Sequence, residues 1–206
     1  METVELAKTI TPLITFTLGL LATPLVESAK EKAKWKKLRK NLITELNDEL
    51  IELPKRLEKM ALTLSGLTAL KTGKIEPGKP IKYIPRKTEL YFLKASTESV
   101  FNTFTHDQRY AIKSLYTQIP ALDGYVKNMC AREISDTTID ECIKDTKRYL
   151  HTGCCMLNTM RIVINHRSAV LNGEDKKIID QILSEVQINL TYEDLAISNT
   201  TTISIT

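Results

Sequence analysis

The sequence predicts an all-α protein, and three observations lead to this class. The chain has 206 residues, of which 42% are hydrophobic and 26% are charged, enough apolar material for one globular domain with an appendage. Only 7 residues are Gly and 7 are Pro, too few for the turn density of a β-sandwich. Apolar residues recur at helical spacing over most of the chain. Disordered, collagenous and polytopic membrane proteins are excluded.

The first predicted element is a membrane-spanning helix within residues 1–26. Residues 9–26 contain no charged side chain, and a stretch of this length is just long enough to cross the hydrocarbon layer as a helix. The alternative is an apolar helix buried in a soluble core. A cleaved signal peptide is disfavoured because Glu2 and Glu5 precede the apolar stretch and lysines follow it.

The net charge of +4 comes from one block directly after this stretch. Residues 27–40 contain seven Lys or Arg and two Glu, and the rest of the chain is nearly neutral. Positive residues beside a span stay on the cytoplasmic side and attract anionic headgroups. We therefore expect a bacterial inner-membrane protein with a single N-terminal span and a cytoplasmic body. The residues expected at the membrane surface are Lys30, Lys32, Lys34, Trp35, Lys36, Lys37, Arg39 and Lys40.

A stripe of small side chains recurs every four residues within the predicted span. It consists of Thr11, Thr15, Gly19 and Thr23. Small residues let helix backbones approach closely, so the stripe predicts a homo-oligomer in which this face meets neighbouring copies or a central aqueous path. The alternative is that each threonine hydroxyl bonds the carbonyl four residues earlier in its own helix.

A heptad pattern of apolar residues predicts a long helix over residues 27–72. Pro54 interrupts the pattern, so we expect either one helix bent near Leu50 or two helices joined at Pro54. The pattern is typical of a core helix in a bundle and also of a stalk that packs against its copies. The repeating residues are Leu46, Leu50, Leu53, Leu57, Met60, Leu64 and Leu67.

A loop rich in Pro and Gly at residues 73–87 separates this helix from a second helical domain over 88–189. Thr88 is expected to cap the first helix of that domain, and Thr105 with Gln108 predicts a capping box for the next, which should end at Pro120. A long helix follows from about residue 136 and is expected to end near Asn172. The tail, residues 190–206, is expected to be weakly ordered or to add an edge strand.

No metal or cofactor is predicted. The four cysteines are expected to be free thiols in a cytosolic body, because cytosolic thiols stay reduced. His151, Cys154 and Cys155 share one side of a helix and offer three ligands, whereas a structural zinc site needs four. Phosphate-binding glycine loops, nucleophile elbows and paired catalytic carboxylates are also absent from the sequence.

Arg161 and His166 form the single catalytic candidate. Their Arg-x4-His spacing is similar to that of the HEPN superfamily, all-helical domains that often dimerise and, when active, cut RNA without a metal. The resemblance implies that His166 is the acid or base and that Arg161 stabilises the phosphorane. Five residues rotate about 140° on an ideal helix, so both side chains reach one phosphate only across a subunit interface or where the helix is irregular.

The predicted helix that carries this pair is apolar apart from a polar stripe. The stripe consists of Asn158, Arg161, Asn165, Ser168 and Asn172. Its partner is expected to be RNA, the same stripe of another subunit, or water.

The N-terminal span, the basic juxtamembrane helix, the helical body and the late Arg-x4-His together resemble the small HEPN-motif accessory membrane proteins of type VI-B CRISPR systems. The resemblance implies an oligomeric pore that depolarises the inner membrane in antiviral defence and enhances an RNA-guided RNase. Expected partners are further copies of the chain, a bilayer with anionic headgroups, and RNA or the RNA-guided nuclease. Two alternatives remain open: a membrane-tethered, metal-independent RNase, and a non-conducting membrane-anchored adaptor.

Overall fold

The structure is a computed structural model that describes residues 2–75, 82–171 and 173–197, with the backbone alone described for residues 2–15. The described residues are helical and contain no strand, which confirms the all-α class. Six α-helices and one 3-10 turn follow one another along the chain. They are α1 (Glu2–Lys71), α2 (Tyr91–Val100), the 3-10 turn (Phe101–Thr103), α3 (His106–Ala131), α4 (Ile139–Ile164), α5 (Asp175–Glu185) and α6 (Tyr192–Leu195).

Helix α1 continues through Pro12, Pro24 and Pro54 without a break. Of the two arrangements expected at Pro54, the single helix is therefore the one present, and the bend near Leu50 stays a prediction. The helix also crosses the expected boundary at residues 26 and 27, so the proposed span and the long helix are one element.

The two halves of α1 have different surroundings. All side chains of residues 16–37 are exposed, and we call this segment the arm. From Leu38 onward α1 enters the hydrophobic core; Leu42 is the first fully buried residue. We call residues 38–197 the body.

The heptad residues of α1 lie in the core of the body. Leu46, Leu53, Leu57, Met60 and Leu67 have no exposed surface. The seam is covered by the chain's own helices, which corresponds to the bundle-core alternative rather than to a stalk packed on copies of itself.

Helices α1, α3 and α4 form the centre of the bundle, and α4 runs antiparallel to both of the others. Leu57 of α1 lies beside Gly153 of α4, and the last residue of α1, Lys71, pairs with Asp140 in the first turn of α4 at 2.5 Å. Gln108 near the start of α3 donates to the Val163 carbonyl near the end of α4.

Helix α2 begins against the side of α1 without a cap of its own. The Glu45 carboxylate of α1 accepts hydrogen bonds from the Tyr91 and Phe92 amides at 2.5 and 3.0 Å. The expectation that Thr88 caps this helix is wrong, because its hydroxyl is buried between Arg56 and Glu49.

The capping box at the start of α3 is confirmed. The Thr105 side chain accepts from the Gln108 amide, and the Gln108 side chain accepts from the Thr105 amide. The expected end at Pro120 is wrong, since α3 continues to Ala131 with Pro120 inside it. The proline lies on the exposed side of the helix, where water can bond the carbonyl that the ring leaves unpaired.

Helix α4 ends eight residues earlier than expected. Asn165 adopts the left-handed conformation with φ 64°, and the His166 amide donates back to the Arg161 carbonyl. Asparagine tolerates this conformation better than most residues, so it terminates the helix where a glycine usually would. Asn172, the expected end, lies outside the described residues.

The first part of the tail is helical rather than a strand. The short helix α6 begins with a capping box formed by Thr191 and Asp194, and Leu195 is buried against the core. The expectation of an edge strand is therefore wrong for residues 190–197, and residues 198–206 lie outside the described residues.

Candidate functional site

The arm is the first candidate functional element, because its apolar side chains are exposed and do not pack in the core of the body. The large apolar residues of its first part, residues 16–26, retain between 49% and 73% of their surface in contact with solvent. At about 100° per residue, they point to all sides of the helix rather than to one face. A helix that is apolar all round is normally covered by lipid or by other helices. These residues are Phe16, Leu18, Leu20, Leu21, Leu25 and Val26.

None of the helices, within the described residues, has a stretch long and apolar enough to cross a membrane. The predicted span begins at residue 9, and the side chains of residues 9–15 lie outside the described residues.

The small-residue stripe is described in its second half. A Cβ atom built on Gly19 would meet nothing within 4 Å, so this face of the arm is open. The Thr23 hydroxyl donates to the Gly19 carbonyl at 2.8 Å, as the alternative explanation of the stripe expects. The side chains of Thr11 and Thr15 lie outside the described residues.

The basic block covers the lower part of the arm and the first turn inside the body. Its lysines are exposed, and Trp35 keeps 38% of its surface exposed. We call residues 30–40 the collar.

Arg39 connects the collar to the body. Its Nη1 donates to the Thr103 carbonyl at 3.0 Å, and its guanidinium lies 5.0 Å from the centre of the Phe104 ring. The Leu38 carbonyl in turn accepts from Ser96 of α2 at 3.3 Å. These contacts fix the direction in which the arm leaves the body.

The Arg161 and His166 pair lies where α4 ends. Arg161 is in the last turn, and His166 follows the left-handed Asn165 and is outside the helix. The 140° rotation of an ideal helix therefore does not apply to this pair. His166 is exposed, and its Nδ1 faces the Ser168 hydroxyl at 2.7 Å, so Nε2 is the nitrogen left for a ligand.

Arg161 has a structural partner that the sequence did not indicate. Its Nη2 lies 2.6 Å from Oε2 of Glu185 in α5, and its other terminal nitrogen, Nη1, is buried without a hydrogen-bond acceptor among the described residues. Burial opposes ionisation of Glu185, but hydrogen bonds from Gln181 and Arg161 outweigh it and hold the pKa of Glu185 below its ordinary value. The Arg161 guanidinium thus joins α4 to α5.

The expectation that the polar stripe lies on one helix is wrong, because α4 ends before Asn165 and Ser168, and part of the stripe bonds to the chain itself. The Asn158 side chain donates to the Val170 carbonyl at 2.8 Å and accepts from the Val170 amide at 2.7 Å. With the Arg161 ion pair and the Ser168 bond to His166, these contacts hold the loop after α4 in place. Three side chains of the stripe therefore bind other parts of their own chain, whereas the expected partners were RNA, the same stripe of another subunit, or water.

Two clefts flank this loop. One of about 260 Å³ lies between the start of α3 and the end of α4 and is lined by Thr105, Gln108, His166 and Arg167 among others. The other, of about 460 Å³, runs along α3 and α4 past Tyr110 and Asp175. His166 thus lines a cavity, as a group that acts on a bound molecule requires.

The three residues considered as zinc ligands are separated by burial. Cys154 is buried and Cys155 is half-buried, and burial raises the pKa of both thiols, that of Cys155 to about 12. His151 instead lies beside Tyr192, with 6.0 Å between the ring centres. Thiols held in the protonated state are poor metal ligands and poor nucleophiles.

Sequence reasoning missed the side chains that arrive from distant helices. Glu45 and Glu185 act on residues more than twenty positions away, and neither has a local motif. Arg109 and Lys113 of α3 were not predicted as functional residues either, although two basic residues four positions apart beside a capping box can be recognised in a sequence.

Comparisons with family models, with curated proteins and with solved structures find no match for this chain.

Proposed function

We propose that this protein is a membrane-inserted, self-associating helical effector whose chain enters the bilayer up to residue 26, in the first part of the arm, and whose body remains on the cytoplasmic side. The assembled arms form a pore that depolarises the inner membrane. In the setting that the family resemblance implies, this pore serves antiviral defence and enhances an RNA-guided RNase.

The observation that carries the proposal is the exposure of the arm. Residues 16–26 present apolar side chains in every direction, and none of these side chains belongs to the core of the body. Burying one large aliphatic side chain is worth about 1.5 to 3 kcal/mol, so leaving six of them in water opposes a free monomer. The basic collar follows at the position where a headgroup layer would lie.

Self-association follows from the same segment. Gly19 has open space around it, and a neighbouring helix could approach its backbone closely. The heptad seam of the body is already buried, so contacts between copies are left to the arm and to the body surface.

Vesicles that contain phosphatidylglycerol and an entrapped dye test the proposal. Trp35 is the single tryptophan of the chain, so its fluorescence should shift to the blue when the arm enters the bilayer. Dye release should accompany the shift. Insertion without release would indicate the anchored adaptor, and no shift at all would contradict the proposal.

Gly19→Leu separates a pore built on the small-residue stripe from other assemblies. An added Cβ at residue 19 has open space around it, so a loss of dye release would report on contacts between copies. Thr17→Leu is the control, because residue 17 lies on the other side of the helix. Normal release by Gly19→Leu would reject the stripe as the packing face.

A second function, metal-independent RNA cleavage, is favoured by the position of His166. His166 is exposed and lines a cleft, and its Nδ1 is bonded to Ser168, which leaves Nε2 for a ligand. His166→Ala should abolish cleavage of single-stranded RNA, whereas Ser168→Ala should lower it.

A substitution of Arg161 also breaks its ion pair with Glu185, so it needs a matched control. Arg161→Met and Glu185→Gln both break the contact between α4 and α5. A loss of cleavage confined to Arg161→Met would assign a catalytic role to the guanidinium. Equal losses would assign it a structural role.

A further inference from the structure

The antiparallel packing of the bundle brings distant parts of the chain to the end where the arm leaves the body. Ser96 of α2 lies at Leu38, and Thr103 lies at Arg39. Helix α3 begins directly afterwards, and Gln108 in its first turn bonds the last turn of α4. We call this the proximal end; the opposite end holds Lys71, Ala131 and Ile139.

The proximal end carries basic side chains in addition to the collar. Arg109 donates to the Phe104 carbonyl at 2.6 Å, and the Lys113 ammonium lies 5.9 Å from the centre of the Phe101 ring. Arg167 is exposed on the loop after α4 and lines the same cleft as Thr105.

Two acidic groups at this end are paired with basic side chains. Glu98 lies 3.8 Å from Lys94, and Glu185 is held by Arg161. Asp107 lines the same cleft as Arg167 and lies 3.5 Å from the ring of His106, which is a cation only when protonated. Within the described residues, Lys113 and Arg167 are exposed and form no ion pair, so their charges are available to an anionic surface.

We propose that the proximal end of the body is a second membrane contact, in which Arg109, Lys113 and Arg167 meet anionic phospholipid headgroups beside the collar. The bundle then stands on the bilayer with the end of α4, and with it His166, facing the lipid. The inference rests on the proposed function, since it requires the arm to enter the membrane.

Continuity with the collar is the reason for choosing lipid as the partner. Arg39 belongs to the collar and also touches the 3-10 turn and Phe104, so the two basic surfaces meet at one residue. Once the arm is inserted, the headgroup layer is the anionic surface nearest to this end. Each Lys or Arg near such a surface adds about fivefold to the affinity.

Two fluorophore positions test the orientation in the full-length chain. Cys130 is exposed at the end of α3 far from the arm, whereas the other three thiols are buried or half-buried, so a maleimide dye attaches there. Asn102→Cys combined with Cys130→Ser moves the dye to the exposed 3-10 turn at the proximal end. Helix α3 separates the two positions by about 39 Å.

Phosphatidylglycerol vesicles with a nitroxide on the headgroup should quench the dye at residue 102 several-fold more than the dye at residue 130. Equal quenching at both positions would overturn the inference. A blue shift of Trp35 with no quenching at residue 102 would overturn it and leave the proposed function intact. Absence of both signals would reject the proposed function and the inference with it.

Charge removal provides the second measurement. Lys113→Gln with Arg167→Gln should weaken binding to anionic vesicles by about tenfold or more. Lys74→Gln with Lys127→Gln removes the same charge from exposed positions elsewhere on the body and should change the affinity by less than about twofold.

If the two double variants lose the same affinity for anionic vesicles, the effect depends on net charge alone and the inference is overturned. If the Lys113 and Arg167 pair leaves vesicle binding unchanged but abolishes binding of an RNA oligonucleotide, the surface is a nucleic-acid site and the inference is also overturned.

Discussion

Gly153 of α4 lies directly against Leu57 of α1. A Cβ atom at this position would lie 2.5 Å from the Leu57 Cδ2, and Leu57 is fully buried. Gly153→Ala should lower the free energy of unfolding by about 1 to 3 kcal/mol, because Leu57 must leave its position in a packed core. Chemical denaturation measures the change.

Gly124 is the matched control for that substitution. It lies inside α3, and an added Cβ would meet nothing within 4 Å. Gly124→Ala should therefore raise stability by about 0.5 to 1 kcal/mol through helix propensity alone. Equal effects at the two glycines would contradict the proposed close approach.

Arg56 is a buried cation that depends on Glu49. Burial lowers the pKa of Arg56, and its guanidinium contacts Glu49, Thr88 and the Arg86 carbonyl. Glu49→Ala should destabilise the fold by about 3 to 5 kcal/mol, because it leaves a buried charge without its partner. Glu52→Ala breaks an exposed pair with Lys55 and should cost less than about 1 kcal/mol in a thermal melt.

Glu185 makes part of the stability depend on pH. Its pKa in the folded state is below its ordinary value, so its contribution is present above the ordinary pKa and is lost as the pH falls through the folded pKa. Denaturation of wild type and Glu185→Gln should differ at about pH 7 and converge at about pH 2. Glu58→Gln, which changes an exposed carboxylate, is the control for the substitution itself. A gap between wild type and Glu185→Gln that persists in acid would reject the ion-pair contribution.

At the level of elements, short-range signals predicted the structure well. The capping box at Thr105 and the heptad leucines depend on residues within one or two turns, and the structure contains both. The predictions for Thr88 and Pro120 were wrong because the outcome depended on distant partners. Arg56 and Glu49 occupy the Thr88 hydroxyl, and the rest of α3 continues past Pro120 while packed on α4.

The arm is an element whose removal should leave the body folded. No side chain of residues 16–37 is buried, and the core begins at Leu38 and Leu42. Deleting residues 2–34 should change the denaturation midpoint of the body little, while it removes insertion into the bilayer and strongly weakens binding to anionic vesicles. Circular dichroism and vesicle sedimentation measure the two effects. A large loss of body stability would mean that the arm packs on the body.

At the level of the whole molecule, the sequence located the candidate residues but not their neighbours. The uncharged stretch and the collar are adjacent in sequence, so the sequence alone predicts that they are neighbours in the structure. The position of Arg161 and His166 near the base of the arm depends on α4 running antiparallel to α1, and no local pattern specifies that packing. Glu185 became the partner of Arg161 for the same reason.

The charge distribution of the whole chain leads to a prediction about salt. Neutralising three collar lysines, Lys30, Lys32 and Lys34, to Gln should weaken binding to anionic vesicles by about a hundredfold, since each contributes about 1 kcal/mol near such a surface. The deficit should shrink as added salt shortens the screening length. Sedimentation at low and high salt measures both effects.

The control for the collar removes the same number of charges from the body surface. Lys74, Lys127 and Lys177 are exposed and lie outside the collar, so changing them to Gln should alter vesicle binding only slightly at either salt concentration. Because the net charge of the two triple variants is identical, a difference between them can arise only from where the charges lie. Matching losses would mean that the chain is attracted as a uniformly charged particle, and the collar would then have no special role.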